Sequence, residues 1–156
     1  MTILEVNKFV NDRIRKYLKK SEEFKDIPLL ETELEEEIVR PSIKTIIGSN
    51  TRVRENSCIE TIKARPEIYF FATDVHKYKL ENYRMAELLK DAFLSEELGD
   101  SGIQEVTFNI YDTVLACTFD IEFSSEIEKE ELEESGETGE IIEMIEELNY
   151  EQEVYV

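Results

Sequence analysis

The sequence predicts an α+β fold: a mostly antiparallel sheet with helices packed on one face, plus an acidic C-terminal extension. Three observations carry this. Apolar residues recur every three or four positions over 2–20 and again over about 80–95, the spacing of a single helical face. Alternating segments at 103–111 and 114–123 flank Asp112-Thr113, the pattern of a short hairpin. Between the two helices lie extended segments punctuated by Pro41 and Pro66.

Taken in order, Thr2 and Glu5 have the spacing of a capping box. Ile3, Val6, Val10, Ile14, Tyr17 and Leu18 make one apolar face, and Lys16, Lys19 and Lys20 suit the C-terminal end of the helix dipole. Residues 27–34 predict a strand with Pro28 at its start, interrupted by Glu35-Glu36-Glu37. A second strand over 38–48 surrounds Pro41, which cannot donate to a ladder and belongs at a strand start or edge. Gly48-Ser49-Asn50-Thr51 reads as a turn or loop. Residues 57–64 and 66–73 read as one long strand or two short ones, with Pro66 at a bulge or edge. Together 42–64 predict an extended hairpin with its tip near 49–56. Met85, Leu88, Leu89, Ala92 and Phe93 form the stripe of the second helix. In the closing hairpin, Val106, Phe108 and Ile110 share one face, as do Leu115, Cys117, Phe119, Ile121 and Phe123.

The domain reading is 1–123 for the α+β body and 124–156 for an acidic linker with a short amphipathic helix. The net charge is −19, and residues 124–156 alone hold 13 acidic residues and one lysine. Such a balance opposes broad binding to nucleic-acid phosphates, which needs clustered Lys and Arg, and it repels anionic membranes. Within the extension Ile141, Ile142, Met144, Ile145 and Leu148 lie at helical spacing, and Ile141, Ile142, Ile145 and Leu148 are the expected docking residues for a partner. Residues 1–20 carry charges throughout, unlike a signal peptide, and no apolar run reaches the length of a membrane span. Cys58 and Cys117 fall in predicted strands, which predicts buried free thiols and a reducing compartment.

Catalytic chemistry finds no support. His76 is the single histidine and has no companion ligands in sequence. No phosphate-binding glycine loop, nucleophile elbow or calcium loop is present. Glu31, Glu33, Glu35, Glu36 and Glu37 read as a solvated edge rather than a cation site. The expectation is therefore no enzyme, no catalytic or metal residues and no cofactor. Arg40, Lys44, Arg52, Arg54, Lys63 and Arg65 form a loose basic band, read as facing an acidic neighbour in preference to DNA. Tyr69, Phe70 and Phe71 are consecutive in one strand and cannot all point the same way, so at least one must face the second side of the sheet. Another element or a partner chain must cover it.

The order of elements resembles the tail-terminator proteins of long-tailed phages and of phage-derived contractile bacteriocins. The resemblance spans residues 2–123. It lies in the capped first helix, Val39-Arg40-Pro41 entering a strand, the polar arm near Asn50–Asn56, Ile68-Tyr69-Phe70-Phe71, the Met85–Phe93 helix, and Asp112-Thr113-Val114-Leu115 running to Phe119-Asp120-Ile121. It implies a homo-hexameric ring, assembled in the bacterial cytoplasm, that caps the head-proximal end of a tail tube. Its implied partners are the tube, the sheath where the tail is contractile, and a neck or collar protein; Asn50, Arg52, Arg54 and Asn56 are the expected subunit or tube contacts. Membrane and sequence-specific nucleic-acid binding are not expected. The competing readings are a head–tail connector subunit and an acidic DNA mimic.

Overall fold

Thr2 opens the first helix. Its hydroxyl accepts from the Glu5 amide at 3.2 Å while the Glu5 carboxylate accepts from the Thr2 amide at 3.0 Å, so the capping box forms as the spacing predicts. The computed structural model describes residues 1–30, 38–95, 97–98 and 102–127. Its elements are α1 (Ile3–Lys20), β1 (Leu29–Leu30), β2 (Ser42–Arg54), β3 (Ile59–Phe71), α2 (Lys79–Phe93), β4 (Val106–Tyr111), β5 (Val114–Phe119) and β6 (Ile121–Glu126). The expected α+β architecture is present.

The sheet runs β1-β2-β3-β5-β4, with β6 also paired to β3. β1 is parallel to β2 and every other pairing is antiparallel. Both helices cover one face. From α1, Val6, Val10, Ile14 and Leu18 are buried; from α2, Met85, Leu89, Ala92 and Phe93. They meet Ile43, Ile62, Ile68, Phe70, Leu115, Cys117, Phe119 and Ile121 of the sheet in one core. Ring contacts knit the layers: Phe93 to Phe119 at 4.5 Å, Phe9 to Phe123 at 5.2 Å, and Phe24 to Phe70 at 5.9 Å between centroids.

Several sequence expectations are displaced. The strand expected from residue 38 begins only at Ser42, directly after Pro41, whose bond to Arg40 is cis. The predicted loop at 48–51 is inside β2, and the hairpin tip falls at 55–58 rather than 49–56. Its turn is held by Asn56, whose side-chain oxygen accepts from the amides of Cys58 and Ile59 at 2.7 and 3.0 Å. Cys58 is thus an exposed turn residue, while Cys117 is buried as expected. The last predicted strand divides at Asp120, and β6 carries the sheet on to Glu126, past residue 123. The Asp112-Thr113 hairpin is present, with both residues at positive φ (44° and 73°) as a type I′ turn requires.

Candidate assembly surfaces

One break crosses three neighbouring strands. In β2 the register slips at Gly48: Ile47 lies opposite Pro66, but Ser49 lies opposite Arg65. A bulge of this kind inserts one residue and reverses which side chains face each side. Ile43, opposite Phe70, points to the helices; beyond the bulge, Asn50, Arg52 and Arg54 take that side. In β3, Pro66 has no amide proton to give the ladder. On its other flank, β5 ends at Phe119 and β6 starts at Ile121. Glu67 opposes Thr118 and Ala64 opposes Ile121, so register is kept across the gap and Asp120 stands opposite Arg65. That pair is bidentate, with Arg65 Nε and Nη2 donating to the Asp120 carboxylate at 2.9 and 3.2 Å. The hydrogen bonds and charge of Arg65 hold the Asp120 carboxyl below its ordinary range, and Asp120 in turn raises Arg65. A polar cleft of about 650 Å³ opens here, bordered by Gln104, Glu105, Thr107 and Thr118.

Beyond the break, β2, β3 and β6 continue as a three-stranded arm. Thr51 opposes Lys63 and Lys63 opposes Glu122, with Lys63 Nζ and the Glu122 carboxylate 3.7 Å apart. The start of α1 lies along the helix-side face of this arm. The Met1 ammonium donates to Ser125 Oγ at 3.1 Å, and Arg52 donates to Met1 O at 3.3 Å. Of the expected contact residues, Arg52 also pairs with Glu60 at 3.2 Å. Asn56 is occupied in closing the tip. Asn50 and Arg54 are exposed on β2. The structure gathers all four on one arm. Ile141, Ile142, Ile145 and Leu148 lie outside the described residues, as do Glu31, Glu33, Glu35, Glu36 and Glu37.

No described helix lies on the face of the sheet opposite α1 and α2, although Arg40 covers part of Phe71 there and Ser42 and Ala116 are buried. Phe70 is fully buried beneath the helices, so Tyr69 and Phe71 take the opposite face, as three consecutive aromatics require. Around them, pairing places Lys44 and Ala116 beside Tyr69, and Ser42 and Val114 beside Phe71. Ile46 and Tyr111 extend the same face and are 38% and 65% exposed. Tyr69 donates to Glu67 at 3.0 Å; partial burial, then this bond, raise its hydroxyl pKa. Arg40 stacks over Phe71, 5.9 Å from the ring centroid, and donates to Ala72 O at 3.0 Å. The sequence exposed the aromatic run but gave no sign that Ile46 and Tyr111 join it, since that depends on cross-strand register.

Among the described residues no group of His, Cys, Asp and Glu is placed to hold a metal ion, and no helix is long and apolar enough to cross a membrane. His76 is exposed in a turn where its amide donates to Asp74 at 2.7 Å. Burial pushes the Cys117 thiol up to about 12, which makes it a poor nucleophile. A family model described as phage tail terminator protein matches residues 5–134. The chain belongs to a phage tail terminator family. It is therefore a structural component of a phage tail that associates with other tail components, from a family not known for enzymes. No curated protein matches the chain. The family match runs through both helices and all six strands, and ends before Ile141.

Proposed function

We propose that this tail terminator forms a homo-hexameric ring on the head-proximal end of a phage or phage-like tail, ends tube polymerisation, and joins the tail to a neck or collar. The sheet face opposite the helices carries this reading. A surface on which Ile46 and Tyr111 are exposed and Tyr69 and Phe71 half-buried is costly to leave in water and is typical of a face that meets another chain. The arm supplies the second contact: Asn50, Arg52, Arg54 and Asn56 lie on a projecting ribbon that meets a neighbouring subunit or the tube. In a contractile tail, such as that of a bacteriocin, the sheath is a further partner. Assembly takes place in the bacterial cytoplasm, before the particle is released.

The test pairs mass with function. Light scattering of the chain, alone and with its tube protein, is expected to give a six-fold mass. Arg52→Glu with Arg54→Glu is expected to leave the fold intact by circular dichroism and to yield tails of uncontrolled length by electron microscopy. Normal tail lengths from that variant would remove the arm from the capping contact. A strictly monomeric chain in the presence of tube would remove the ring.

A further inference from the structure

Ile127 continues the ladder at the arm tip, where its amide donates to Cys58 O at 2.7 Å. The 29 residues after it include the stripe Ile141, Ile142, Ile145 and Leu148, which helical spacing places on one face. Residues 135–156 lie outside the family match.

We propose that residues 140–156 of the same chain dock on the open sheet face and cover Ile46, Tyr69 and Val114 in the free subunit. Three observations commit the site to this occupant. The first is reach. Ile141 lies 14 residues beyond Ile127, and an extended chain of that length spans up to about 46–50 Å. From Ile59, beside the exit point, to Tyr69 is ten residues along β3, or about 33 Å. The segment therefore reaches the aromatic patch of its own sheet without a partner. The second is chemistry: an apolar stripe needs an apolar seat, and this face is the one broad sheet surface left open by the described elements. The third is charge. Arg40 and Lys44 border the patch, and Glu140, Glu143, Glu146 and Glu147 flank the stripe. Glu67 on the same face is bonded to Tyr69, so Arg40 and Lys44 are left to offer this patch the positive charge that suits an acidic segment. Tethering makes docking intramolecular, which favours it over capture of a separate molecule.

The consequence rests on the proposed ring: a face used between subunits is shielded until assembly displaces the segment. The docking itself does not depend on the ring and is tested without it. In the full-length chain at a concentration where it is monomeric, the methyl resonances of Ile46 and Val114 are compared with those of the full-length Ile141→Glu, Ile145→Glu variant. The Ile46 and Val114 methyls are expected to shift and to gain contact with a soluble paramagnetic agent, while the core methyls of Ile14 and Leu89 stay in place. Lys44→Glu in the otherwise native chain is expected to move the same resonances in the same direction. Unchanged Ile46 and Val114 resonances in the Ile141→Glu, Ile145→Glu variant would overturn the proposal. A difference that disappears on dilution would also overturn it, because the segment would then be docking on a second copy. A failed ring with these shifts present would leave the docking standing and discard only its role in assembly.

Discussion

Arg13 shows how much one polar side chain contributes to this core. It is 8% exposed, yet Nε and Nη2 both donate to Ala92 O, at 3.1 and 2.9 Å. It also donates to Ser95 Oγ at 2.9 Å and to Glu97 at 3.2 Å, and its guanidinium lies 5.1 Å from the Tyr17 ring centroid. One side chain on α1 thus satisfies a carbonyl at the end of α2, where a cation also suits the helix dipole. Arg13→Ala is expected to cost about 1–3 kcal/mol, the cost of leaving a buried group unpaired, read from urea unfolding. Arg13→Lys should recover only part of it, because an ammonium cannot reproduce the fork. The sequence hid this role. Arg13 lies three residues after Val10 and four before Tyr17, squarely on the buried face, but an apolar stripe is counted without its charged members. Asn82 was missed for the same reason: it is fully buried in α2 and donates to Thr113 O at 3.0 Å, tying the helix to the β4–β5 turn.

Among elements, the interrupted strands show where composition misleads. Ser49, Asn50 and Thr51 look like loop residues, yet they continue β2, because all three side chains are exposed at this edge of the arm and alternation loses its apolar half. Helices and the closing hairpin were legible because each buries one face and leaves the other wet. Pro66 did announce an irregularity, but the sequence could not say that Gly48 and Asp120 would align with it, since alignment is a matter of register. Gly48 is favoured by a close approach: a Cβ there would lie 2.7 Å from Glu67 Oε1 and 2.8 Å from its Cδ, so the Glu67 side chain would have to move. The Glu67 carboxylate is held by Tyr69, so it does not yield freely. Gly48→Ala is expected to cost about 0.5–1.5 kcal/mol, the worth of the displaced hydrogen bond. Adding Glu67→Ala should make the Gly48→Ala step nearly neutral, a coupling that a double-mutant cycle in denaturant measures. Equal costs in both backgrounds would place the strain elsewhere.

The Arg65–Asp120 pair gives the same break a pH signature. Asp120 has a folded pKa below its unfolded value, so the unfolded chain takes up its proton first as pH falls. The pair's contribution is present above the unfolded carboxylate pKa, about 4, and is lost as pH drops through the folded value. Glu97, lowered by hydrogen bonds from Arg13 and Lys16, acts in the same direction. Both carboxylates are exposed, so solvent screening keeps each effect small. Asp120→Asn is expected to lower stability slightly above about pH 4 and to converge on the parent below it, which flattens the acid limb of a stability–pH curve. A variant whose acid limb matches the parent's would show that the pair does not contribute to folding.

For the whole molecule, the governing quantity is charge. Residues 128–156 hold twelve acidic residues and one lysine, so a chain ending at Ile127 has a net charge of −8 against −19 for the whole. In the proposed ring, copies would repel through that excess, while the contacts proposed to hold them are apolar, or basic only locally at Arg40, Lys44, Arg52 and Arg54. Repulsion between exposed charges reaches over a Debye length of about 10 Å at 0.1 M salt and about 3 Å at 1 M. Apolar contact is not weakened by the same change. Self-association of the full chain should therefore strengthen as salt rises, and sedimentation equilibrium across a salt series measures it. The slope should shrink in a chain ending at Ile127, since most of the repelling charge is gone. Ending the chain after Ser124 is a poorer comparison, because it cuts β6 and removes the Ile127 bond to Cys58. If association of the full chain instead weakens with salt, the subunits are held by opposite charges. The arginines of the arm would then be the dominant contacts, and the aromatic face a lesser one.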